Sequence, residues 1–504
     1  MVIGIDLGTT YSAAAYIDSN GQAQMIPNSE GEYTTPSVVL FEDGMTIVGQ
    51  RAKENLLLDS LNTISLIKRQ MGNKAFLFEN EEGAEYKPED ISAMILKRLV
   101  TDSEAYIGEA VDAAVITVPA YFGDAERKAT MDAARIAGLK VLALINEPTA
   151  AALGYGLSRG QDGSLIMVYD LGGGTFDVTL LKIEAQQFTV LSSYGDKSLG
   201  GANFDDELMK YAYAVIKDQT GVDMSDDMDF QQSLREKCEK AKKALSTSMS
   251  TFIPVSANGK KVKITITRTE FERMIEQHLL ITEDSIDTVM MDAGITARKI
   301  DKVLLVGGSS RIPAVKELIR KKTGIEPSCE LHPDHAVAIG AAYYAQNLNE
   351  AGVDGVVQGD KQDEVKIQDV STHGLGVVAR NQEGKMENYI ILPRNTALPA
   401  SNKQVFGTSV DNQRELIIEL TEGDESDVRY VTKIGQAHMA IEPSPKGSPV
   451  GVGISLDVNG IIHVSVIDAR RDIVLYESDI QRAANMSEEE LREREKHMKN
   501  IEVE

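Results

Sequence analysis

The chain has 504 residues, 42% of them hydrophobic, and a formal charge of −25, so it is long enough for two or more domains with sizeable cores. That charge argues against a broad nucleic-acid or anionic-membrane surface, so any phosphate ligand must be held locally by loops, a metal and a few cations. The two cysteines, Cys238 and Cys329, supply neither a disulfide framework nor a cysteine-based zinc site and suit a reducing compartment.

A strand-like run starts at Val2, without a basic n-region or long apolar h-region, which reads as no signal peptide. No apolar run reaches the ~20 residues that span a bilayer. The expectation is a cytoplasmic protein. The first strand ends in a small-residue turn, Ile3-Gly4-Ile5-Asp6-Leu7-Gly8-Thr9-Thr10-Tyr11. A strand follows at 113–118, then a helix from Asp124 to Ala137 stopped by Gly138. A second copy of the opening design follows at Met167-Val168-Tyr169-Asp170-Leu171-Gly172-Gly173-Gly174-Thr175-Phe176-Asp177. The run 234–248 is helical in composition, with Glu239, Lys242 or Lys243, and Ser246 on one stripe. A solvated Glu–Lys face or a set of polar groups for a ribose and base both fit that spacing. A third loop, Gly307-Gly308-Ser309-Ser310-Arg311, follows a strand and precedes a helix opened by Pro313.

The alternation of strands and helices up to about residue 350 indicates an α/β domain. Residues 351–364 are rich in Gly, Asp and Gln and carry no period. From Val365 to about Ile480 short strands and turns dominate, and Val458-Asn459-Gly460 marks a hairpin. This part reads as all-β. Ser487 and Glu490 form a capping-box pattern before a charged helix to about Lys499, whose charge run reads as a solvated face.

The chemistry lies in the paired loops. Asp6 and Asp170 end strands, where carboxylates can reach a cleft, and two carboxylates facing one triphosphate require a cation. Mg²⁺ fits, because it keeps several waters and takes few carboxylates. Gly8 and the Gly172-Gly173-Gly174 run let backbone N–H groups approach phosphate oxygens, and Thr9, Thr10 and Thr175 add hydroxyls. Two related half-domains facing one nucleotide is the reading these repeats support.

With these motifs the chain resembles the DnaK-type 70-kDa heat-shock chaperone family. The resemblance is carried by residues 4–12, Thr117-Val118-Pro119-Ala120-Tyr121-Phe122, Asn146-Glu147-Pro148-Thr149-Ala150-Ala151-Ala152, residues 170–177, Leu199-Gly200-Gly201, residues 307–313 and Pro333-Asp334 with Ala336-Val337-Ala338. It runs collinearly over nearly the whole chain. It implies an actin-like two-lobed α/β ATPase domain (1–362), a linker (363–370), an all-β peptide-binding sandwich (371–480) and a short helical tail (481–504) in place of the longer lid.

Carried over by position, Asp6, Glu147 and Asp170 would surround a hydrated Mg²⁺, and Asp6 and Asp177 would help hold K⁺. Lys68 resembles the family's catalytic lysine, and Thr9 and Thr175 would contact phosphates. Glu239, Lys242, Lys243, Ser246, Gly308, Ser309, Arg311 and Asp334 would frame the adenosine of ATP or ADP. Lys243 stands where many members carry Arg, which implies weaker stacking on adenine. Pro119 and Arg127 match a switch that relays nucleotide state. Val365, Ile367 and Asp369 fall in the linker, whose apolar character Lys366 and Gln368 interrupt; weaker docking on the ATPase domain is the expectation. Val377, Phe406, Leu416 and Ile418 align with an apolar peptide pocket, while Arg380 and Ser409 replace usually apolar arch residues. The short tail implies fast peptide release.

The implied function is an ATP-hydrolysing chaperone for unfolded or extended polypeptide segments, with nucleotide state controlling peptide affinity. The alternative is a dedicated, client-specific regulator of the same family. A J-domain co-chaperone and a nucleotide-exchange factor are the expected partners, although Ala143 stands where many members carry an Arg for J-domain docking. A small-molecule kinase or a filament-forming actin relative would not need the C-terminal β-domain.

Overall fold

Asp-Leu-Gly closes a strand in each of two sheets built to one plan. In a computed structural model that describes residues 1–56, 59–159, 163–184, 186–328, 332–351, 365–381, 383–479 and 486–504, strand Val2–Asp6 pairs antiparallel with Tyr11–Ile17 and parallel with Ala113–Val118. Strand Ser164–Leu171 likewise pairs antiparallel with Phe176–Glu184 and parallel with Lys302–Val306. Each hairpin turn thus follows a strand that is paired on both sides. Parallel neighbours buried on both faces explain the continuous apolar runs: all six residues of Ala113–Val118 are buried.

Two helices lie between the sheets, and small residues let them touch. A Cβ on Gly340 would come within 1.7 Å of the Ala150 carbonyl, and one on Gly4 within 2.1 Å of Ala342 N. Helix Ala336–Ala351 therefore sits directly on the first strand and on helix Glu147–Arg159, which fixes one lobe against the other. No helix among the described residues is long and apolar enough to cross a membrane.

The C-terminal part is a β-sandwich. One sheet orders Met386–Leu392, Leu375–Arg380, Gln413–Glu422 and Thr432–Ser444; the other orders Ala400–Gly407, Pro449–Leu456, Ile462–Asp468 and Ile473–Asp479. Their inner faces share one core containing Val377, Leu416, Val452 and Val466. The boundary expected at 362/363, the whole of 352–364, residues 480–485 and Cys329 fall outside the described residues.

The linker extends a lobe. Strand Lys366–Gln368 adds parallel to Gln187–Asp196, with Phe188 opposite Ile367. Lys366 and Gln368 are exposed, while Val365 and Ile367 pack on the apolar cluster beneath. The polar residues interrupt the sequence but not the buried face, because strand side chains alternate.

The charged tail has a solvated face, with Glu489, Arg492, Glu493, Lys496 and Lys499 exposed, and a second face that docks on the first lobe. Helix Glu488–Asn500 buries Leu491 and Met498 in the first lobe's core. Its charges meet partners across that contact: Arg494 pairs with Asp90, Glu490 with Lys87, and Glu488 and Glu495 with Arg135. Lys97 Nζ donates to the carbonyls of Met498, at 2.9 Å, and Ile501 at the helix end, where a cation is favoured. The chain then runs beside strand Met45–Val48: Glu504 N–H donates to the Thr46 carbonyl at 2.9 Å. Ser487 caps the helix by accepting the Glu490 N–H at 3.2 Å. The reciprocal half of the box is absent, because the Glu490 carboxylate is engaged by Lys87.

Candidate functional site

A cavity of about 810 Å³ opens between the lobes. Both Asp-Leu-Gly loops and the third loop line it, as do Glu147 and Lys68. The loops of the two lobes touch: a Cβ on Gly173 would fall within 2.6 Å of Thr10 Oγ1, and one on Gly174 within 2.8 Å of Thr9 Oγ1. Only glycine fits that approach.

The floor is anionic. Asp6 accepts from Thr117 Oγ1 at 3.1 Å, and burial, then Glu147, pushes its carboxyl up to about 7. Burial followed by Glu147 also raises Asp177 to about 7 and Asp170 well above the usual carboxylate range. Lys68, itself buried, pairs with Glu147 and is the cation that draws all three acids back down. Its placement begins with Leu66, which turns the chain through a left-handed φ of 58° into the helical turn Ile67–Gln70, a conformation that non-glycine residues hold only where surroundings enforce it.

Carboxylates crowded in low dielectric call for a positive ligand. The donors are all oxygen, which suits a hard cation such as Mg²⁺. Among the described residues no three His, Cys, Asp or Glu side chains converge for direct ligation, so the arrangement fits an ion that keeps its water shell. Asp177 does not line the cavity; it is 1% exposed and accepts the Tyr121 N–H at 3.0 Å.

Helix Met228–Thr247 supplies the opposite wall, with Glu239, Lys242, Lys243 and Ser246 all on the cavity. Lys242 Nζ is held by Asp205 Oδ2 at 2.7 Å and the Gly201 carbonyl at 2.8 Å. Lys243 pairs with Glu239 at 2.7 Å and lies over the Tyr11 ring. Burial raises Glu239, but Lys53 and Lys243 override it and bring the carboxyl down to about 2. Lys53 bridges the cleft, donating to Tyr11 Oη at 2.8 Å and pairing with Glu239 at 3.3 Å.

The third loop begins at Gly307, whose φ of 78° brings it against the Leu171 carbonyl and the Asp170 carboxylate. Gly308, Ser309, Arg311 and Asp334 follow on the rim, and Arg311 pairs with Asp334 at 2.6 Å. Gly8, Thr9, Thr10, Tyr11, Gly172, Gly173 and Thr175 line the cavity too, whereas Gly174, Gly200 and Gly201 stand behind it. Gly201 N–H donates to the Gly172 carbonyl at 3.0 Å, so these glycines support the loop from the rear. Sequence reasoning did not single out Lys53, Arg69 or Asp205, whose partners lie on distant segments.

The chain matches the Hsp70 protein family over residues 2–81 and 73–504, which together cover nearly the whole sequence. It belongs to the Hsp70 family. Members of this family are ATPases and chaperones that bind ATP or ADP with Mg²⁺, peptide substrates and co-chaperones. The two-lobed domain, sandwich and terminal helix described above are consistent with the Hsp70 architecture.

The other assigned Hsp70 positions spread away from the cavity. Arg127 is buried, donating to Asn146 Oδ1 at 2.6 Å and to the carbonyls of Phe122, at 2.9 Å, and Asn459, at 3.3 Å, the last in the sandwich. Pro119 follows strand Ala113–Val118 and opens a turn closed by the Phe122 N–H on its carbonyl at 3.1 Å. Asp369 accepts from Asn146 and Thr149. Val377 and Leu416 lie in the sandwich core, while Phe406 and Ile418 are half-buried beside it.

Proposed function

We propose that this protein is an ATP-dependent molecular chaperone that hydrolyses ATP to ADP and phosphate and binds unfolded or extended polypeptide segments, with nucleotide state setting peptide affinity. The observation that carries the reading is the linker strand Lys366–Gln368, hydrogen-bonded into the five-stranded sheet that also contains Ser164–Leu171, the strand bearing Asp170. A domain joined in this way to the sheet behind a nucleotide cleft can respond to what the cleft holds.

In this reading Asp6, Glu147 and Asp170 hold a hydrated Mg²⁺, Asp6 and Asp177 face K⁺, and the Mg²⁺ when bound neutralises charge on the phosphates. Lys68 steadies the terminal phosphate and the attacking water. The loop N–H groups and Thr9 and Thr175 orient the phosphates, while Glu239, Lys242, Lys243, Ser246, Arg311 and Asp334 frame the adenosine. Hydrolysis then needs position and charge neutralisation rather than a protein nucleophile. Phe406 and Ile418, with Val377 and Leu416 beneath them, form the apolar side of the peptide site, and main-chain hydrogen bonds supply sequence tolerance. A J-domain protein and an exchange factor are the expected partners, and the cytoplasm the expected location.

The test is ATP turnover under Mg²⁺ and K⁺, with and without a panel of extended peptides. Turnover that peptides change and sugars do not supports the reading. No calorimetric heat with ATP or ADP overturns it.

A further inference from the structure

The turn Ile67–Gln70 carries Lys68 to the cavity and sends Arg69 across to the other lobe. Arg69 Nε and Nη2 donate to the Gly174 carbonyl at 3.1 and 3.0 Å. Nη2 also donates to Asn203 Oδ1 at 2.6 Å and to the Ser198 carbonyl at 3.3 Å. Asn203 Oδ1 in turn accepts the Gly200 N–H at 2.9 Å, at the start of helix Gly201–Thr220. The guanidinium is thus bonded to carbonyl and amide oxygens of the opposite lobe.

A trans peptide points its C=O and the following N–H in opposite directions. The Gly172 carbonyl is taken by Gly201 N–H at 3.0 Å and Ser309 Oγ at 2.9 Å, and the Gly173 carbonyl by Ala202 N–H at 2.9 Å. The Gly174 carbonyl is taken by Arg69. Three successive carbonyls held at the rear turn the N–H groups of Gly173, Gly174 and Thr175 to the other side, where Gly173 and Thr175 line the cavity. Two of those carbonyls are held by their own lobe. The third, directly before Thr175, is held from across the cleft.

We infer that Arg69 is a positioning residue for ATP hydrolysis: by holding the Gly174 carbonyl it aims the Thr175 N–H at the terminal phosphate, and it does so only when the lobes are closed. The inference rests on the ATPase reading above. Arginine suits the task because its planar fork reaches the Gly174 and Asn203 oxygens together, which an ammonium cannot reproduce. The arrangement also gives lobe closure a chemical consequence, since an open cleft leaves the peptide before Thr175 free to turn.

The test compares single-turnover hydrolysis and ADP affinity in wild type, Arg69→Ala, Arg69→Lys, Asn203→Ala and the double variant Arg69→Ala with Asn203→Ala. Arg69→Ala should slow hydrolysis on the order of 30-fold, less than the ~10²–10³ of a direct transition-state donor because it acts one peptide away. ADP affinity should stay within about threefold, because neither Arg69 nor Asn203 lines the cavity. Arg69→Lys should fall in between, and it keeps the test open if the alanine variant does not fold. Losses in Arg69→Ala and Asn203→Ala should combine to less than their sum. Hydrolysis within twofold of wild type in Arg69→Ala, or ADP affinity falling in step with the rate, overturns the positioning role alone. Wild type that neither binds nor hydrolyses adenine nucleotide overturns the ATPase reading and this inference with it.

Discussion

Asp369 Oδ2 accepts a hydrogen bond from Asn146 Nδ2 at 2.7 Å. Asn146 ends strand Lys140–Asn146, and the next residue is Glu147 of the anionic floor. The last linker carboxylate is therefore one residue from the cluster expected to face the nucleotide. It also accepts from Thr149 at 3.2 Å and lies near Arg127, whose charge opposes the rise that burial imposes on it.

Breaking this contact should separate the two activities. Asp369→Ala, or Val365→Asp with Ile367→Asp, should leave basal ATP turnover within about threefold of wild type, because none of the three lines the cavity. Stimulation by peptide should disappear. Turnover measured across a peptide titration checks this, and undiminished stimulation in both variants counts against signalling through the linker.

Lys68 bears the opposite expectation. Lys68→Ala should reduce turnover by about 10²–10³, the loss typical of a direct transition-state contact, with ADP binding reduced only a few-fold. It removes the cation paired with Glu147, so the apo protein should also lose about 3 kcal/mol of stability, the cost of leaving a buried charge unpaired. Mg²⁺ should recover more stability in this variant than in wild type. Thermal melts with and without Mg²⁺, beside the kinetics, read both effects.

The loops were legible because their chemistry is local. Glycine, aspartate and threonine at a strand end carry the same meaning wherever the chain later goes, and the two copies reinforced each other. Arg69 and Lys53 were not legible, since their partners Gly174, Asn203 and Glu239 become neighbours only once the lobes meet. The docked face of helix Glu488–Asn500 was hidden for a related reason. Its apolar residues facing the lobe are few, Leu491 and Met498 seven positions apart, so the pattern looks solvated. The groups that pair with its charges, on helices Pro88–Ile107 and Asp124–Ile136 and at Lys87 just before the first of them, lie hundreds of residues earlier.

That helix gives a third prediction. Asp90 is 4% exposed and also accepts the Lys87 N–H at 2.8 Å, so Arg494→Ala leaves a desolvated carboxylate without its paired guanidinium. Met498→Glu would place a second charge in the lobe's core. Either should weaken docking of the helix by about 2–3 kcal/mol, and the helix should detach while the lobe stays folded, since detachment rehydrates Asp90. Hydrogen exchange should accelerate at the amides of 488–500 and remain protected in strand Ala113–Val118. Unchanged exchange in both variants would mean that the ion pairs only decorate the contact.

The pH dependence of the lobe should be set in part by Glu89, which is 4% exposed at the start of helix Pro88–Ile107. Burial, with help from Asp90 and Asp132 and against Lys87, raises its carboxyl to about 7 from an ordinary 4.5. Between those values the folded chain keeps a proton that the unfolded chain has released, so stability falls as pH rises through the window. Below 4.5 both states are protonated and the residue costs nothing; above 7 the full penalty applies, up to about 3 kcal/mol. Asp132, raised to about 6, adds to the same trend. Glu89→Gln keeps the shape of the neutral acid and cannot ionise. It should lie within about 1 kcal/mol of wild type at pH 5, exceed it by more at pH 8, and flatten the decline between them. Denaturant unfolding at pH 5, 6, 7 and 8 measures this, and a Glu89→Gln curve parallel to that of wild type would locate the buried proton elsewhere.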